Sequence, residues 1–455
     1  MFDLKVIHAQ IVSSQRIFNG EFYVKDGKIA AVTAPGSNFP AIETLDAANR
    51  MVMPGAIDPH VHGGYGTPER ETYRHVSAAA AAGGVTTVLE QPLSVPITVT
   101  TQAFLAKKAA AEADFHVDFG LWGGLVPGAL DEMAAIAKLG GGAFKSFMCR
   151  CSNYPSTNDG VLLAGLRRLA EFGGLSCAHA ENDSLIQELV DQCNANGERG
   201  PQAFIDSHPP YSETEAVLRY IYLLRQAPGA KGHIAHCSVP EGVRAVHAAQ
   251  QQGLDITVET CPQYLGLSQD DLFLQGGVAK CDPPPRSNEM RQDLWRCVLE
   301  GQVDMIVSDH SPHPFDRKVV PMERFTTAAE GVTGMETMLP VMLEEGYFQR
   351  NLPLTAIVRM MSETPARRFG LYGRKGALEV GFDADFNLID MQRSWLCQAE
   401  KMHYLNKHTP FDGREFRGRI DATYLRGQLI SQNRQIMVEP GFGHFYAMQM
   451  QEQDC

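Results

Sequence analysis

The chain has 455 residues, 44% of them hydrophobic and 20% charged. That balance excludes a disordered or fibrous protein and allows a large barrel plus a smaller domain. The formal net charge of −13 argues against nucleic-acid backbones and anionic membranes as partners, and leaves a small polar molecule as the expected one.

Residues 1 to about 53 are β-like. A strand-like run, Lys5 to Val12, is followed by Glu21-Phe22-Tyr23-Val24, a turn at Asp26-Gly27, and Lys28 to Val32, which together read as a hairpin. The N-terminus has no basic region followed by a long apolar core, so no secretory signal is expected, and no apolar run reaches the length of a membrane span. From about 54 to 369 strands and helices alternate. The apolar run Met51-Val52-Met53 reads as a buried strand leading into His60 and His62. Further strands are expected at 86–91, 116–121, 143–148, 175–180, 232–237, 255–260 and 304–308. Alanine-rich or amphipathic segments, such as 76–82 and 103–113, separate them. Eight β/α units predict a (β/α)₈ TIM barrel. From about 370 to 455 the pattern turns β-like again, with a turn and strand over 376–389 and a hairpin over 423–430. Neither end can bury a sheet alone, so the two are expected to pair into one small composite β-sandwich domain. The stretch from Met448 to Cys455 is expected to fray.

Ten cysteines are scattered, several in apolar strand-like runs (Cys177, Cys237, Cys261). A chain this long needs no disulfide staples, so reduced thiols in a cytoplasmic protein are expected. Cys149 and Cys151 read as strand-end side chains, because no second pair with zinc-site spacing accompanies them.

In a (β/α)₈ barrel, chemistry sits at the C-terminal ends of the strands. Alternate residues of a strand share a face, so His60 and His62 point the same way and make half of a transition-metal site. A lone His-x-His is more often a pair of surface histidines. Here Lys145 lies within strand 4, His179 ends strand 5, His236 ends strand 6 and Asp309 ends strand 8. An unpaired lysine in an apolar strand is costly. It either snorkels to the rim or pairs with an acid, or burial favours the neutral amine and that amine captures CO₂. The resulting carbamate can bridge two cations, and the ligand-type residues around Lys145 favour it. His233 faces away from His236 and reads as a packed histidine. Gly140-Gly141-Gly142 lacks a following Lys-Ser/Thr helix, so it reads as a turn and not a phosphate loop.

This set of His-x-His, strand-4 lysine, two further histidines and Ser308-Asp309-His310 resembles the amidohydrolase superfamily, and within it the cyclic amidohydrolases: allantoinases, hydantoinases/dihydropyrimidinases and dihydroorotases. The resemblance spans nearly the whole chain. It implies two divalent metal ions, zinc by preference. His60, His62, carboxylated Lys145 and Asp309 would hold one, and Lys145, His179 and His236 the other. Ser238 to Val243, Ala279 to Arg286, Val307 to Pro312 and Arg414 to Ile420 look most like allantoinases, while Glu259 to Tyr264 looks more like hydantoinases. The implied reaction is hydrolysis of a cyclic amide by a metal-bridging hydroxide, with Asp309 shuttling the proton.

The substrate shell departs from the family's patterns. Ser94 follows Pro92-Leu93 where allantoinases carry asparagine. Asp282 stands where serine or asparagine is usual. Arg150 stands five residues after the lysine, where hydantoinases place a carbonyl-binding tyrosine, and the nearest tyrosine is Tyr154. Gly64 replaces the dihydroorotase arginine. His313 could contact substrate or lie in a polar loop. Arg150, Tyr154, Asp282 and His313 are thus the candidate substrate contacts, and allantoin is the first candidate substrate. Hydantoinase, dihydropyrimidinase or dihydroorotase activity is the alternative. A mononuclear deaminase would not need Lys145, and a non-catalytic scaffold would have shed metal ligands. The expected partners are a small cyclic amide and further copies of the chain, as a dimer or tetramer, with neither nucleic acid nor membrane.

Overall fold

The structure is a computed structural model that describes residues 1–64 and 66–448. Two sheets carry the barrel. Ala56–Val61, Val85–Glu90 and Asp118–Leu121 form one, and Gly123–Gly124, Ala143–Phe147, Leu175–His179, Lys231–Ile234, Ile256–Thr260 and Met305–Ile306 form the other, all parallel. The third strand joins them. It pairs with the second up to Leu121, passes Trp122, and pairs with the fourth through Gly123 and Gly124. A parallel bridge between Val61 and His310 joins the eighth strand to the first, and the His62 N–H donates to the His310 carbonyl at 2.9 Å. The result is the expected TIM barrel. Its strands are buried along nearly their whole length, which is why they read as apolar runs rather than alternating ones.

The expectation for the first barrel strand needs correcting. Met51–Pro54 belongs to the other sheet, and the barrel strand is Ala56–Val61, with His60 inside it. Gly55 is the crossing point. A Cβ there would lie 2.1 Å from Thr86 Oγ1, so only glycine lets the chain step from one sheet to the other.

The second domain is a nine-stranded sheet built from both chain ends. Met51–Pro54 lies between Phe2–Val12, parallel to it, and Phe386–Leu396, antiparallel to it. The core beneath takes Leu4, Val6, Phe22 and Val24 from the first end and Phe386 and Leu388 from the second. Each such side chain is worth roughly 1.5–3 kcal/mol when fully buried, so neither end can make this core alone. The hairpin expected at Asp26-Gly27 forms, and both residues have positive φ, as a two-residue hairpin turn requires.

Helices pack outside the barrel. Tyr73–Ala82 is capped by Thr72, whose hydroxyl accepts from the His75 N–H, and buries a run of five alanines, Ala78 to Ala82. Such caps are worth about 1 kcal/mol, and the small side chains let the helix lie close on strand 2. All nine described cysteines are free. Of the tail expected to fray, Met448 is buried and its N–H donates to the Gly140 carbonyl, while 449–455 lie outside the described residues.

Candidate metal centre and active site

The barrel brings the six expected donors to the C-terminal ends of its strands. His60 lies in strand 1 and His62 just beyond it, Lys145 in strand 4, His179 at the end of strand 5, and His236 and Asp309 beyond strands 6 and 8. His60, His62 and Asp309 form a triad whose donor atoms lie within 4.8 Å of one another. Asp309 Oδ1 is 3.2 Å from His62 Nε2 and 3.4 Å from His60 Nε2. Lys145 Nζ is 3.4 Å from His60 Nε2, and the His236 ring lies 5.3 Å from that of His60 and 4.6 Å from that of His179. His236 and Asp309 have φ of +33° and +45°. Non-glycine residues held in this region store strain, and such residues cluster at functional sites.

The electrostatics suit a cation. Burial pushes the His62 imidazole down to about 4. Burial also lowers His179, and lowers His236 further, with the Lys145 charge adding to it. These rings are therefore neutral near pH 7 and keep a lone pair for a metal. Burial works against the Asp309 charge, but the neighbouring His60, the hydrogen bond with His62 and the Lys145 charge outweigh it and hold the carboxyl below its usual range. Two groups of the set are left without partners among the described residues. His236 Nδ1 is buried with no hydrogen-bond partner. Lys145 is 0% exposed, yet no carboxylate lies within ion-pair distance of it among the described residues. Four imidazoles with carboxylate and lysine donors fit a divalent ion of the zinc type.

Carboxylates behind the site fix the rings. Glu259, in strand 7, accepts from His60 Nδ1 and from the His236 backbone N–H at 3.1 Å, and its other oxygen is 2.9 Å from His233 Nε2. Bonding at Nδ1 leaves His60 Nε2 turned to Asp309 and Lys145. Glu181 holds His179 in place, at 2.8 Å from its Nε2, although burial raises its own carboxyl to about 8. Such buried carboxylates set the tautomer of metal-binding histidines. Sequence reasoning missed both. The available signal was an acid inside an apolar strand, Val258-Glu259-Thr260, and another two residues after His179. His233 is packed as expected, and is joined to the site through Glu259.

The donors floor a cavity of about 330 Å³. His313, Arg150 and Asp282 line it, and Tyr154 does not. The Tyr154 hydroxyl donates to the Lys145 carbonyl at 3.0 Å, because the turn from Cys151 to Tyr154 folds the ring back beneath the strand. Arg150 is at the rim. Its guanidinium reaches out to Gln187 at 3.0 Å and Asp183 at 3.3 Å, and its side chain is 67% exposed. Ser94 is also spent elsewhere, donating to Glu90 Oε1 at 2.5 Å. Gly64 has φ +69°, and a Cβ would lie 2.4 Å from the Glu71 carbonyl oxygen, so no arginine fits there. The cavity nonetheless has a cation that the sequence did not point to. Arg70 lines it, donating to the Pro312 carbonyl, Ser311 Oγ and His313 Nε2 at 3.0 to 3.2 Å. Burial and Arg70 together hold His313 neutral, down at about 2.

Comparison with known proteins places this arrangement. Residues 51–430 match the model of the Amidohydrolase family. The chain belongs to the amidohydrolase family. It is an enzyme, a hydrolase of that family. It is 38% identical over 454 residues to an L-hydantoinase of Paenarthrobacter aurescens, covering 98% of each chain. It is also 38% identical over 435 residues to an allantoinase of Rubrobacter xylanophilus, covering 94% of each. Among solved structures, the L-hydantoinase (dihydropyrimidinase) from Arthrobacter aurescens superposes with a TM-score of 0.95 at 38% identity, over 98% of this chain and 99% of that one.

Proposed function

We propose that the protein opens a cyclic amide ring by hydrolysis, with allantoin the first candidate substrate and a 5-substituted hydantoin the second. The observation that carries this reading is the six-donor cluster, in which, among the described residues, His236 Nδ1 has no hydrogen-bond partner and the buried Lys145 has no acid. Carboxylation of Lys145 would resolve that burden, turning a lone cation into a carboxylate reaching toward both groups of imidazoles. His60, His62, Lys145 and Asp309 would then hold one divalent cation, and Lys145, His179 and His236 a second, with zinc the expected metal. Bound there, two such ions supply Lewis acidity and make water acidic near neutral pH.

The residues of the chain do the rest. Asp309, held ionised by His60 and His62, takes the proton from the attacking water. It delivers that proton to the ring nitrogen as the C–N bond breaks. One water is consumed, and the product is an open-chain carbamoyl or ureido acid. Arg70 and His313 stand on the cavity wall where a ring carbonyl could be bound. The hydantoin reading is kept because the L-hydantoinase relative matches as closely as the allantoinase and over more of the chain. The same reading has the chain working as a homo-oligomer in the cytoplasm. Tyr211, Leu218 and Tyr222, each more than half exposed on one helix face, support the former.

The test is steady-state hydrolysis by zinc-loaded protein of allantoin, 5-substituted hydantoins, dihydrouracil and dihydroorotate. A neutral five-membered ring should give the highest kcat/KM. Preference for dihydroorotate would reverse the ranking and point to Arg70 as a carboxylate anchor. Inertness toward every ring would sink the proposal.

A further inference from the structure

A second buried lysine without an acid stands behind the cavity, and it is satisfied differently from Lys145. Lys318 ends the short helix Phe315–Lys318 and is 0% exposed. Among the described residues no carboxylate lies within ion-pair distance of it, and Glu330 pairs instead with Lys280 at 3.1 Å. Lys318 Nζ donates to three backbone carbonyls, those of Lys280 at 2.7 Å, Ala329 at 2.9 Å and Gly331 at 2.6 Å. Carbonyls only accept, so these three bonds use all three hydrogens of an ammonium. Burial pushes the group down to about 7, with the Lys280 and Arg70 charges adding to it and Cys281 and Glu330 opposing. A buried charge is costly unless it is hydrogen-bonded, and here the three carbonyls offset that cost.

Residues 328–331, which include two of those carbonyls, form one wall of the cavity over the metal donors. The wall also supports the two side chains that reach into that cavity. Gly331 has φ +132°, and a Cβ there would lie 2.5 Å from the Ser311 carbonyl oxygen, so the wall lies directly on Ser311. Arg70 Nη2 donates to Ser311 Oγ at 3.1 Å and to His313 Nε2 at 3.2 Å. An arginine cannot accept, so Nε2 carries no hydrogen, and the neutral His313 ring holds it on Nδ1. The Glu330 backbone accepts from that ring. A path of direct contacts thus runs from Lys318 through the wall to His313 and Arg70. Resting on the ring-opening reading above, we infer that Lys318 is a positioning residue for that reaction: its ammonium clasps the wall at Ala329 and Gly331, and the wall sets His313 and Arg70 against the ring.

The experiment is a double-mutant cycle on zinc-loaded protein, with Lys318→Met, Arg70→Met and the two combined. Each is assayed for kcat and KM on allantoin and 5-methylhydantoin, and for zinc per chain. Arg70→Met should lower kcat/KM by roughly ten- to a hundredfold, the scale of one hydrogen bond from a charged group. Lys318→Met should lower it about tenfold or more at unchanged zinc content, chiefly as a rise in KM, because the wall meets the ring before and during the reaction alike. Added to Arg70→Met, it should cost less than about threefold more, since its effect runs through Arg70. A role in stability alone would reduce the folded fraction, and so the apparent kcat, leave KM as it is, and multiply through the cycle. Where Lys318→Met fails to fold, Lys318→Gln takes its place. It keeps two N–H donors, buries no charge, and should show the same coupling at smaller size. Independent effects of the two positions would overturn the inference, as would a wild-type KM in the Lys318 variant or an Arg70→Met protein as active as the wild type. A wild type that opens neither ring would instead overturn the ring-opening reading itself.

Discussion

Two buried clusters of ionisable side chains stand at opposite ends of the same barrel, and they differ in how their charges are closed. At the N-terminal end, Asp118, Asp383 and Asp385 bring carboxylates as close together as the triad of His60, His62 and Asp309 at the other end. Protein cations already fill that space. Lys375 pairs with all three acids, Arg426 with Asp118, and Lys28 with Asp383. Tyr446 and the backbone N–H groups of Arg426 and His444 supply further donors. Three acids meet three cations there, and the cluster ties barrel strand 3 to the β domain. At the C-terminal end, among the described residues, no carboxylate pairs with Lys145 and His236 Nδ1 has no hydrogen-bond partner. A count of ligand-type residues therefore does not separate a metal site from a structural ion network. The separating feature is whether the protein has already neutralised the cluster itself.

The comparison breaks most readily at Lys145. Lys145→Ala removes the proposed bridge, and both metal content and turnover should fall to background. Metal analysis of the purified variant beside the wild type checks this, and added short-chain carboxylic acids should restore part of the rate by occupying the gap. Full metal content with full turnover in Lys145→Ala would end the bridging role.

At the opposite end the matching change is Lys375→Met, which keeps the length of the side chain and deletes its charge. Three carboxylates would lose their central partner. Breaking a buried ion pair from one side costs about 3–5 kcal/mol, so denaturant unfolding should shift by roughly that much, while zinc stoichiometry per folded chain stays as in the wild type. A loss of metal with unaltered stability would mean that the two clusters had been assigned the wrong way round.

Asp309→Asn probes the active end more finely. The amide keeps an oxygen toward the metal donors but cannot take a proton. Part of the metal should remain, and kcat should drop on the order of a hundredfold or more, the usual scale for lost general acid–base help. A kcat within a few-fold of the wild type would restrict Asp309 to metal binding.

Much of this was legible in the sequence because of where the strands lie. Barrel strands are covered on both faces, so each appears as a short apolar run, and His179, His236 and Asp309 stand at the ends of such runs. The gaps have local causes. Met51–Pro54 and Ala56–Val61 read as one strand because the lone residue between them, Gly55, gives no sign that it joins two sheets. Tyr154 and Arg150 were placed by their spacing from Lys145. The loop after strand 4 then turns the tyrosine under the strand and the arginine outward, and spacing carries no information on a loop's path. Arg70 comes from a loop eight residues beyond His62, and only the closed fold brings it to His313. Glu259 shows the same limit within a strand. A buried acid in an apolar run looks alike in sequence whether it serves a metal ligand or a structural lysine.

Glu259 also gives the mildest test of the comparison. Unlike Lys375, which neutralises acids for stability, Glu259 orients a ligand. It accepts from His60 Nδ1, holds the His236 backbone N–H, and pairs with His233. Its contacts with His60 and His233 outweigh the burial that opposes ionisation, and keep its carboxyl well below the usual range. Glu259→Gln retains the shape and an accepting oxygen, so the barrel should fold and its unfolding midpoint should change little. The charge behind His60 is lost, which weakens that ring as a ligand. Changes of this kind typically cost about 10–100-fold in metal affinity. The check is a competition titration of zinc against a chelator of known affinity, run beside circular dichroism on the same sample. Weaker zinc binding in a folded variant supports the positioning role. Unchanged zinc affinity with lowered stability would place Glu259 with Lys375, among the groups that hold the barrel together.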